Sequence, residues 1–542
     1  MKKILGIASI TAVLMLGSCK DFLEVKPLTS IRSENFYTSA KDMNAAIASM
    51  YGNFQQAMVG ESQFNNKYTM WGEARSDNYE RGGNSNSTYA ELQLNGLSAS
   101  NPFSDWSSMY KVINIANLNI KYFPQVAEKE VNKSLVTPLI ITDNIAQSRG
   151  MRAMAYFYIA RTWGDAPIRL EPFEDASTDA KAAREPVDKI FTDVIIPDLE
   201  FAYNNVNNLN YSVFRISRAA ACAALMDVYM WRKDYVNAIK WFGLLGNTRT
   251  PSTTKATYRG TAISDLESTT NWTRNFTDPT NSIEAIWNIH WDWNKNGCPC
   301  MAGVSATPNN TPLVVDFDVF YRWPQLNTTD IRPRVTYDNT KTDARDRVWK
   351  YYKGAFTPAA SPLPAPADYI TIEGRNYAFP LVYTVAAADR DPNTTSVFLT
   401  MYRLADQYLL YAEALNKTGD KVNALKYLNF IRTRANVAPY TTSSPQVSVT
   451  PGVIDATKLE DAIIQERQYE LFAEGKRWFD LVRTDRVIQV MDPIIKARQV
   501  RSGVLPADAT GFGTDKRKYL WPINRNVLNS NSLLVQNQPY TD

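Results

Sequence analysis

The chain has 542 residues, of which 44% are hydrophobic and 21% are charged, and its formal net charge is +4. This composition is typical of a soluble globular protein, and its lysines and arginines form no dense stretch that would indicate nucleic-acid binding. The single histidine, His290, excludes a metal site built from several histidines. A Ser-His-Asp catalytic triad is possible only if His290 supplies its base. No P-loop or dinucleotide-binding glycine motif follows a predicted strand.

The first residues have the pattern of a secretory signal. Lys2 and Lys3 precede an apolar run at residues 4–16, and the small residues Gly17 and Ser18 follow. The run is too short to span a bilayer, so residues 1–18 are predicted to be a signal peptide and the protein to be exported.

Cys19, directly after this segment, resembles the cysteine of a bacterial lipoprotein box. Such a cysteine is acylated, with palmitate among its chains, and becomes the mature N-terminus; several acyl chains anchor a protein stably. The alternative is an ordinary signal peptide followed by an incidental cysteine. The pair Lys20-Asp21 resembles the signal that sends such lipoproteins to the outer face of the outer membrane. Residues 19–35 are predicted to be a lipid-anchored tether.

Helical periodicity begins near Lys41, with Ser39 as the predicted cap. A second predicted helix runs from Trp106 to Ile120. A third covers residues 144–163 and ends where the turn Gly164-Asp165-Ala166-Pro167 stops it.

Two later segments form an internal repeat. Residues 224–242 and 410–428 align without gaps, and each predicts a helix, a short turn and a second helix entered through V-N-A-[IL]-K. The pattern is typical of tetratricopeptide hairpins, in which small residues let two helices pack closely. Two generic helical hairpins are the alternative interpretation.

Between the repeats, residues 246–393 are rich in proline and aromatic residues and have little periodicity. Within them, residues 285–293 alternate as a strand, with Trp287, Trp291 and Trp293 on one face. No metal site is predicted, because Thr394 stands where a calcium loop begun at Asp389 would need glycine.

The segment ERQYELFAEGKRWFDLVR, residues 466–483, carries three glutamates spaced four residues apart, Glu466, Glu470 and Glu474. Buried carboxylates must be paired, and Arg467, Arg477 and Arg483 are the predicted partners. A glycosidase would instead need two carboxylates flanking an open cleft with separated pKa values. Acids interleaved with arginines favour a structural network. Gly475 is predicted to break the helix and turn Trp478 and Phe479 into the core.

Four motifs together resemble the SusD/RagB family, whose members are surface lipoproteins that help bring glycans or other large nutrients into the cell. They are the segment 466–483, R-A-M-A-Y-F-Y-I-A-R-T-W-G-D-A-P at 152–167, R-L-A-D-Q-Y-L-L-Y-A-E-A at 403–414, and the tail with Y-L-W-P-I at 519–523 and N-Q-P-Y at 537–540. The tail departs from the family ending, because Gln538 intervenes before Pro539.

The resemblance implies a mostly α-helical, SusD-like fold: a tetratricopeptide-like scaffold with a long irregular, partly β, ligand-binding excursion. It implies a single domain over residues 36–542. Within it the helical scaffold covers 36–245 and 394–485, the loop-rich ligand face about 246–393, and the C-terminal tail 486–542. It also implies a non-enzymatic protein without a cofactor, which passes oligosaccharide to a SusC-like, TonB-dependent outer-membrane transporter.

A glycan site needs aromatic rings for the C–H faces of sugars and short polar or charged groups for their hydroxyls. The candidate ligand-binding residues, all expected on exposed loops, are Tyr79, Arg81, Asn84, Trp291, Trp293, Asn294 and Trp323. The alternative is that these aromatic residues seal the loops onto the helices. No catalytic residue is predicted. A peptide-binding protein on the same scaffold and, less favoured, a glycoside hydrolase remain alternative functions.

Overall fold

Helices make up most of the chain in this computed structural model. It describes residues 33–60, 66–83, 85–174, 181–207, 212–248, 262–296, 312–327, 329–336, 348, 350–351, 357–358, 369–372, 375–378, 383–384 and 396–541. Cys19 and Asn84 lie outside these residues, as does the side chain of Trp293. Among the described helices, none combines the length and the apolar character needed to cross a bilayer.

The described α-helices of ten residues or more are α1 Ala40–Val59, α2 Ser107–Lys129, α3 Pro138–Trp163, α4 Ile196–Asn205, α5 Arg218–Trp231, α6 Tyr235–Leu245, α7 Phe317–Leu326, α8 Leu404–Lys417, α9 Lys421–Arg434, α10 Ala456–Glu470 and α11 Val487–Arg501. Shorter α-helices are Ser33–Phe36, Lys67–Gly72, Ser87–Gln93, Val187–Ile190, Arg274–Thr277, Trp293–Asn296, Arg332–Thr336, Arg477–Arg483 and Arg525–Ser530.

The described strands are short and pair two by two. They are β1 Tyr79–Arg81, β2 Ala285–Trp291, β3 Leu313–Val315, β4 Thr357–Pro358, β5 Tyr369–Ile372, β6 Arg375–Ala378, β7 Tyr383–Thr384, β8 Val397–Arg403, β9 Ser448–Thr450 and β10 Val453–Ile454. The antiparallel pairs are β1 with β3, β2 with β8, β4 with β7, β5 with β6, and β9 with β10. Strands β2 to β7 fall in the predicted excursion, so a helical scaffold with a partly β excursion is confirmed.

The helices pack on one another nearly in chain order. Helix α1 packs on α2, α2 on α3, α3 on α4, α4 on α5 and α5 on α6. Helix α6 then contacts α8, which also packs on α9 and α10. The predicted cap at Ser39 is confirmed, because its hydroxyl accepts a hydrogen bond from the Asp42 N–H at 3.3 Å while the Asp42 carboxylate accepts from the Ser39 N–H at 2.9 Å.

The two predicted repeat units are helical hairpins, α5 with α6 and α8 with α9. Their second helices begin in the same way. The Asp234 carboxylate accepts from the Asn237 N–H at 3.1 Å and from its side-chain amide at 2.7 Å. Asp420 accepts from Asn423 at the same two distances. Each aspartate satisfies an N–H group that the first turn of a helix leaves without a partner, which explains why both units contain asparagine there.

Strand β2 is shorter and more buried than predicted. It ends at Trp291, because the Asp292 carboxylate accepts a hydrogen bond from the Asn294 N–H at 3.0 Å and turns the chain into the one-turn helix Trp293–Asn296. Both faces of the strand are covered, with Trp287 stacked on Phe54 at 5.8 Å.

The three glutamates of the segment 466–483 are buried and paired, as a structural network requires, but the predicted partners are wrong. The ion pairs join Glu466 to Arg332 and Arg432, Glu470 to Arg332, Arg403 and Arg434, and Glu474 to Arg403 and Lys350. Consecutive helical side chains point about 100° apart, so Arg467 faces away from Glu466. Burial raises the pKa of Glu470, but the charges of Arg434, Arg403 and Arg332 outweigh burial and hold that pKa well below its ordinary value.

The segment's own arginines bind acids elsewhere. Arg467 pairs with Asp406 at 2.9 Å and with Asp480 at 2.8 Å, and Arg483 pairs with Asp480 at 2.9 Å and with Glu413. Asp406 and Glu413 lie on α8, so two of the motifs that resemble the family bind each other directly. The predicted break at Gly475 is confirmed by its φ of +67°, and Trp478 and Phe479 are buried.

The C-terminal tail binds the end of α3. The Trp521 N–H donates to the carbonyl of Thr162 at 2.8 Å, and the Asn537 amide donates to the carbonyl of Trp163 at 2.8 Å. The indole N–H of Trp163 donates in turn to the carbonyl of Pro522 at 3.1 Å. The helix end and the tail, which were separate motifs in the sequence, therefore form one contact.

Candidate functional site

A groove of about 720 Å³ runs beside the β1–β3 pair. Its walls come from four parts of the chain: residues 77–82 around β1, residues 93–94, residues 316–322 at the start of α7, and residues 493–502 of α11 and its end. We call this the β1–β3 groove. Its volume lies within the range of small-molecule sites, roughly 300–1,000 Å³.

Backbone hydrogen bonds fix the wall that β1 and β3 form. The register places Tyr79 opposite Val315 and Arg81 opposite Leu313. At the two ends, the Asp316 N–H donates to the carbonyl of Asn78 at 2.8 Å and the Gly82 N–H donates to the carbonyl of Pro312 at 2.9 Å. This wall therefore joins a loop from the N-terminal part of the chain to the excursion.

Asp77 lines the groove and forms an ion pair with Arg477, which does not line it. The Arg477 guanidinium donates to both carboxylate oxygens, with Nε at 2.8 Å and Nη2 at 2.7 Å. Burial raises the pKa of Asp77, but the charge and hydrogen bonds of Arg477 outweigh burial and lower that pKa below its ordinary value of 3.8. Asp77 is therefore ionised at neutral pH and is unsuited to act as a general acid.

Two further acids of the groove are paired with arginines of α11. Arg498 Nη2 donates to Asp316 Oδ2 at 2.9 Å, and Arg501 Nη2 donates to Glu80 Oε2 at 2.9 Å. Burial raises the pKa of Asp316, the charge of Arg498 opposes this rise, and the charge of Glu80 adds to it. Glu80 and Asp316 are therefore held to α11 on one side and to the β1–β3 pair on the other.

Apolar residues complete the lining: Leu94, Phe317, Val319, Pro493, Ile494 and Ala497. The groove thus combines an apolar surface with charged groups. A sugar ring has apolar C–H faces and a polar edge of hydroxyls, so this combination suits it.

The structure brings together the predicted ligand residues Tyr79 and Trp323 but buries their rings. Tyr79 stacks on Phe472 at 5.5 Å, and Trp323 stacks on Tyr469 at 4.8 Å and packs against the same Phe472 at 6.1 Å. Their exposed fractions are 0% and 1%. The prediction that these two rings stand on exposed loops is wrong, because neighbouring rings of the protein cover the faces that a sugar would need.

The predicted ligand residue Trp291 is the last residue of β2, which pairs with β8 and not with the groove wall. Trp291 is 2% exposed, so the prediction of an exposed ring is wrong here as well, because its strand is covered on both faces. Asn294 is exposed in the one-turn helix that follows, and its ligand role stays a prediction. The same holds for Asn84 and for the side chain of Trp293, which lie outside the described part of the chain.

Arg81 is the predicted ligand residue that the structure places in the groove as an exposed side chain. Sequence reasoning missed Asp316, Arg498 and Arg501. The signal was present in the spacing of Ile494, Arg498 and Arg501, since residues three and four apart lie on one side of a helix. Nothing in the sequence indicated that this side of α11 faces β1.

His290 lies on strand β2 and does not line the groove. Its imidazole stacks on Phe398 at 4.6 Å and on Phe214 at 5.0 Å. Burial lowers the pKa of His290 below its ordinary value of 6.5, so the ring is neutral at neutral pH. His290 is therefore a strand residue whose ring packs on neighbouring aromatic side chains.

Two protein-family models match the sequence. The family described as the SusD family matches residues 326–540, and the family described as "Starch-binding associating with outer membrane" matches residues 21–230. Together the two matches cover well over half of the chain and include three of the four parts that line the groove, while residues 316–322 lie between them.

Relatives and solved structures agree with these matches. SusD-like protein P38 of Formosa agariphila is 26% identical over 567 residues and covers 100% of both chains. A SusD homolog structure from Bacteroides thetaiotaomicron has a TM-score of 0.68 at 19% identity and covers 94% of this chain and 98% of its own. A laminarin-binding SusD-like protein has a TM-score of 0.65 at 20% identity, with coverages of 93% and 100%. The structural likeness establishes the predicted SusD-like fold, and with the family matches at both ends it shows that this chain belongs to the SusD/RagB family.

Proposed function

We propose that this protein is a surface-exposed lipoprotein that captures oligosaccharide in the β1–β3 groove and delivers it to a SusC-like, TonB-dependent outer-membrane transporter. The observation that carries the proposal is the groove itself, which has the volume of a small-molecule site and both apolar and charged walls. Binding is non-covalent and requires no cofactor.

Family membership and a relative's ligand support this proposal. One matching family is described as starch-binding and associated with the outer membrane, and one solved structure of the same fold is a laminarin-binding protein. Neither fact identifies the sugar that this chain binds. The chemical class of the ligand has to come from the groove.

Calorimetry with purified protein and a panel of oligosaccharides tests the binding step. Ala497 is exposed on α11 and lines the groove, so Ala497→Trp would fill the apolar wall. We expect that variant to weaken binding at least tenfold, which is about 1.4 kcal/mol. Val500 is 38% exposed on the same helix outside the lining, so Val500→Trp is the matched control and should bind like the parent protein. Equal affinities of both variants would place the ligand elsewhere.

The location on the cell surface and the anchor rest on the N-terminal sequence, with Cys19 as the lipidated residue. In the producing bacterium, Cys19→Ala should release the protein from the outer-membrane fraction, and protease added to intact cells should cleave the parent protein. A protein that stays in the cytoplasm, or that protease never reaches, would contradict both. Co-purification of the transporter with the parent protein tests the partner.

Two alternatives have distinct outcomes. A peptide-binding protein would show binding to members of a peptide panel, and no binding to glycans, in the same calorimeter. A glycoside hydrolase finds some support in the raised pKa of Asp316, but Asp316 is 6% exposed and accepts hydrogen bonds from Arg498 and from the Asp318 N–H at 3.0 Å. We therefore expect no new reducing ends when glycans are incubated with the protein.

A further inference from the structure

The acids and arginines that line the β1–β3 groove are equal in number, but they do not all pair with one another. The lining acids are Asp77, Glu80, Asp316 and Asp318, and the lining cations are Arg81, Arg322, Arg498 and Arg501. Asp77 is already neutralised by Arg477, which lies outside the lining. Arg498 is paired with Asp316 and Arg501 with Glu80, so once these pairs are set aside the lining carries Arg81, Arg322 and Asp318, with a net charge of +1.

Two of the lining guanidiniums, those of Arg81 and Arg322, are exposed. Arg81 ends β1, and Arg322 is on α7, the next element after β3. Both side chains are exposed, and within the described ranges no carboxylate lies at ion-pair distance from either. Glu80, the neighbour of Arg81, is held instead by Arg501. Arg81 and Arg322 are therefore available to a ligand.

A third lining arginine, Arg498, is buried. It is 5% exposed, and its Nη2 donates to the carbonyl of Tyr79 at 2.7 Å and to Asp316 at 2.9 Å. Its Nε and Nη1 have no hydrogen-bond partner among the residues that the structure describes. Buried donors without partners are uncommon in native proteins, and a guanidinium lining a groove with two unused nitrogens favours an acceptor-rich ligand.

We propose that the groove recognises an anionic substituent on its glycan, either the carboxylate of a uronic acid or a sulfate ester, through Arg81 and Arg322 together with the buried charge of Arg498. This inference rests on the proposed glycan-binding function and adds the chemical class of the sugar. Guanidinium groups pair with planar or tetrahedral oxyanions through two hydrogen bonds, which a neutral hydroxyl cannot reproduce. The apolar wall formed by Ile494 and Ala497 then contacts the ring that carries the charge.

Calorimetry on the mature protein tests this with paired ligands that differ in charge alone. One pair is an oligogalacturonate and its carboxyl-reduced form, and the other is a carrageenan oligosaccharide and its desulfated form. The two pairs separate a carboxylate from a sulfate. We expect the charged member of one pair to bind about tenfold more tightly, because hydrogen bonds to charged groups are stronger than those to neutral hydroxyls. That preference should shrink as salt rises.

Variants assign the preference to the two arginines. Arg81→Gln and Arg322→Gln should each weaken binding of the charged ligand about threefold, so the double variant should lose the roughly tenfold preference and bind charged and neutral ligands alike. Arg525 is exposed outside the groove, so Arg525→Gln is the matched control and should change nothing. Thermal denaturation of each variant verifies that it folds.

The outcomes separate the two proposals. Neutral ligands that bind as well as charged ones, or a preference that survives in the double variant, would overturn the anionic specificity and leave glycan binding standing. A protein that binds no glycan of either pair or of the wider panel would overturn glycan binding and the anionic specificity together.

Discussion

The guanidinium of Arg477 binds both carboxylate oxygens of Asp77 although 400 residues separate them in the sequence. Arg477 belongs to the buried segment 466–483, and Asp77 lines the β1–β3 groove. The same junction is reinforced by the Gln468 amide, which donates to Asn78 at 2.9 Å, and by the Lys476 N–H, which donates to Glu73 at 3.1 Å. The segment that most resembles the family therefore positions the base of the groove.

Removing Arg477 should be costly. In Arg477→Met, the Asp77 carboxylate stays buried without its partner, and breaking a buried pair in this way typically costs about 3–5 kcal/mol. We expect a correspondingly lower midpoint in urea denaturation followed by tryptophan fluorescence. The control is Arg517→Met, because Arg517 is 63% exposed in its pair with Asp515 and such pairs contribute about 0–1 kcal/mol. Equal losses in the two variants would contradict the importance of the buried pair.

Gly72 should not tolerate a side chain. A Cβ at Gly72 would lie 2.1 Å from the carbonyl oxygen of Gly475, so the helix Lys67–Gly72 and the turn at Gly475 would have to separate. We expect Gly72→Ala to lower the free energy of unfolding by at least about 3 kcal/mol, the upper range for overpacked sites. Gly243, inside α6, has no atom within 4 Å of its added Cβ. Gly243→Ala should therefore stabilise the protein by up to about 1 kcal/mol, and a loss there as large as at Gly72 would refute the steric reason.

The stability of the protein should depend on pH through Glu73. Burial raises the pKa of Glu73 from its ordinary value of 4.5 to about 7, against the opposing hydrogen bonds of Asn78 and Lys476 and the charge of Lys350. Between these two pH values the folded protein keeps a proton that the unfolded chain has released. Stability from this residue is therefore present below pH 4.5 and is lost as the pH rises to 7, by about 3 kcal/mol in total.

The Glu73→Gln variant tests this sign, since glutamine does not titrate. Denaturation midpoints of the parent and the variant should be compared at pH 5 and pH 8. We expect the parent to lose stability relative to the variant between these two values. A difference between the two proteins that is the same at both pH values would contradict the assignment.

The caps of the two repeat hairpins should be equivalent. Asp234→Ala and Asp420→Ala each remove the side chain that accepts the first N–H groups of α6 and α9, and each should cost about 1 kcal/mol. The double variant should lose about the sum, because each cap acts on its own helix. Val236→Ala and Val422→Ala are matched controls, since these side chains are 71% and 72% exposed, and they should change the free energy of unfolding by less than about 0.5 kcal/mol.

Local features were predictable because short stretches of sequence determine them. The Ser39 cap, the end of α3 at Gly164, the two hairpins and the break at Gly475 each depend on a few neighbouring residues and their backbone preferences. The pairing of the three glutamates was also predictable. Many apolar residues surround them in the sequence, and carboxylates buried among apolar residues must be paired.

The partners of those acids were not predictable, because ion pairs form between side chains that the fold brings together. Arg332, Arg403 and Arg434 reach Glu470 from three separate parts of the chain. The same reason explains the error at Tyr79, Trp291 and Trp323. Composition favours aromatic residues equally for a sugar site and for a core, and only the packing of Phe472 and Tyr469 places the rings of Tyr79 and Trp323 in the core.

The sequence by itself determined the helical hairpins and the resemblance to the family, and it predicts the export signal, since each is encoded in contiguous residues. The tertiary structure alone decided where a ligand can bind, because the groove exists only where β1 meets β3 and where α11 lies beside them. Its charge follows from which acids the scaffold neutralises, and that depends on distances in space between residues hundreds of positions apart.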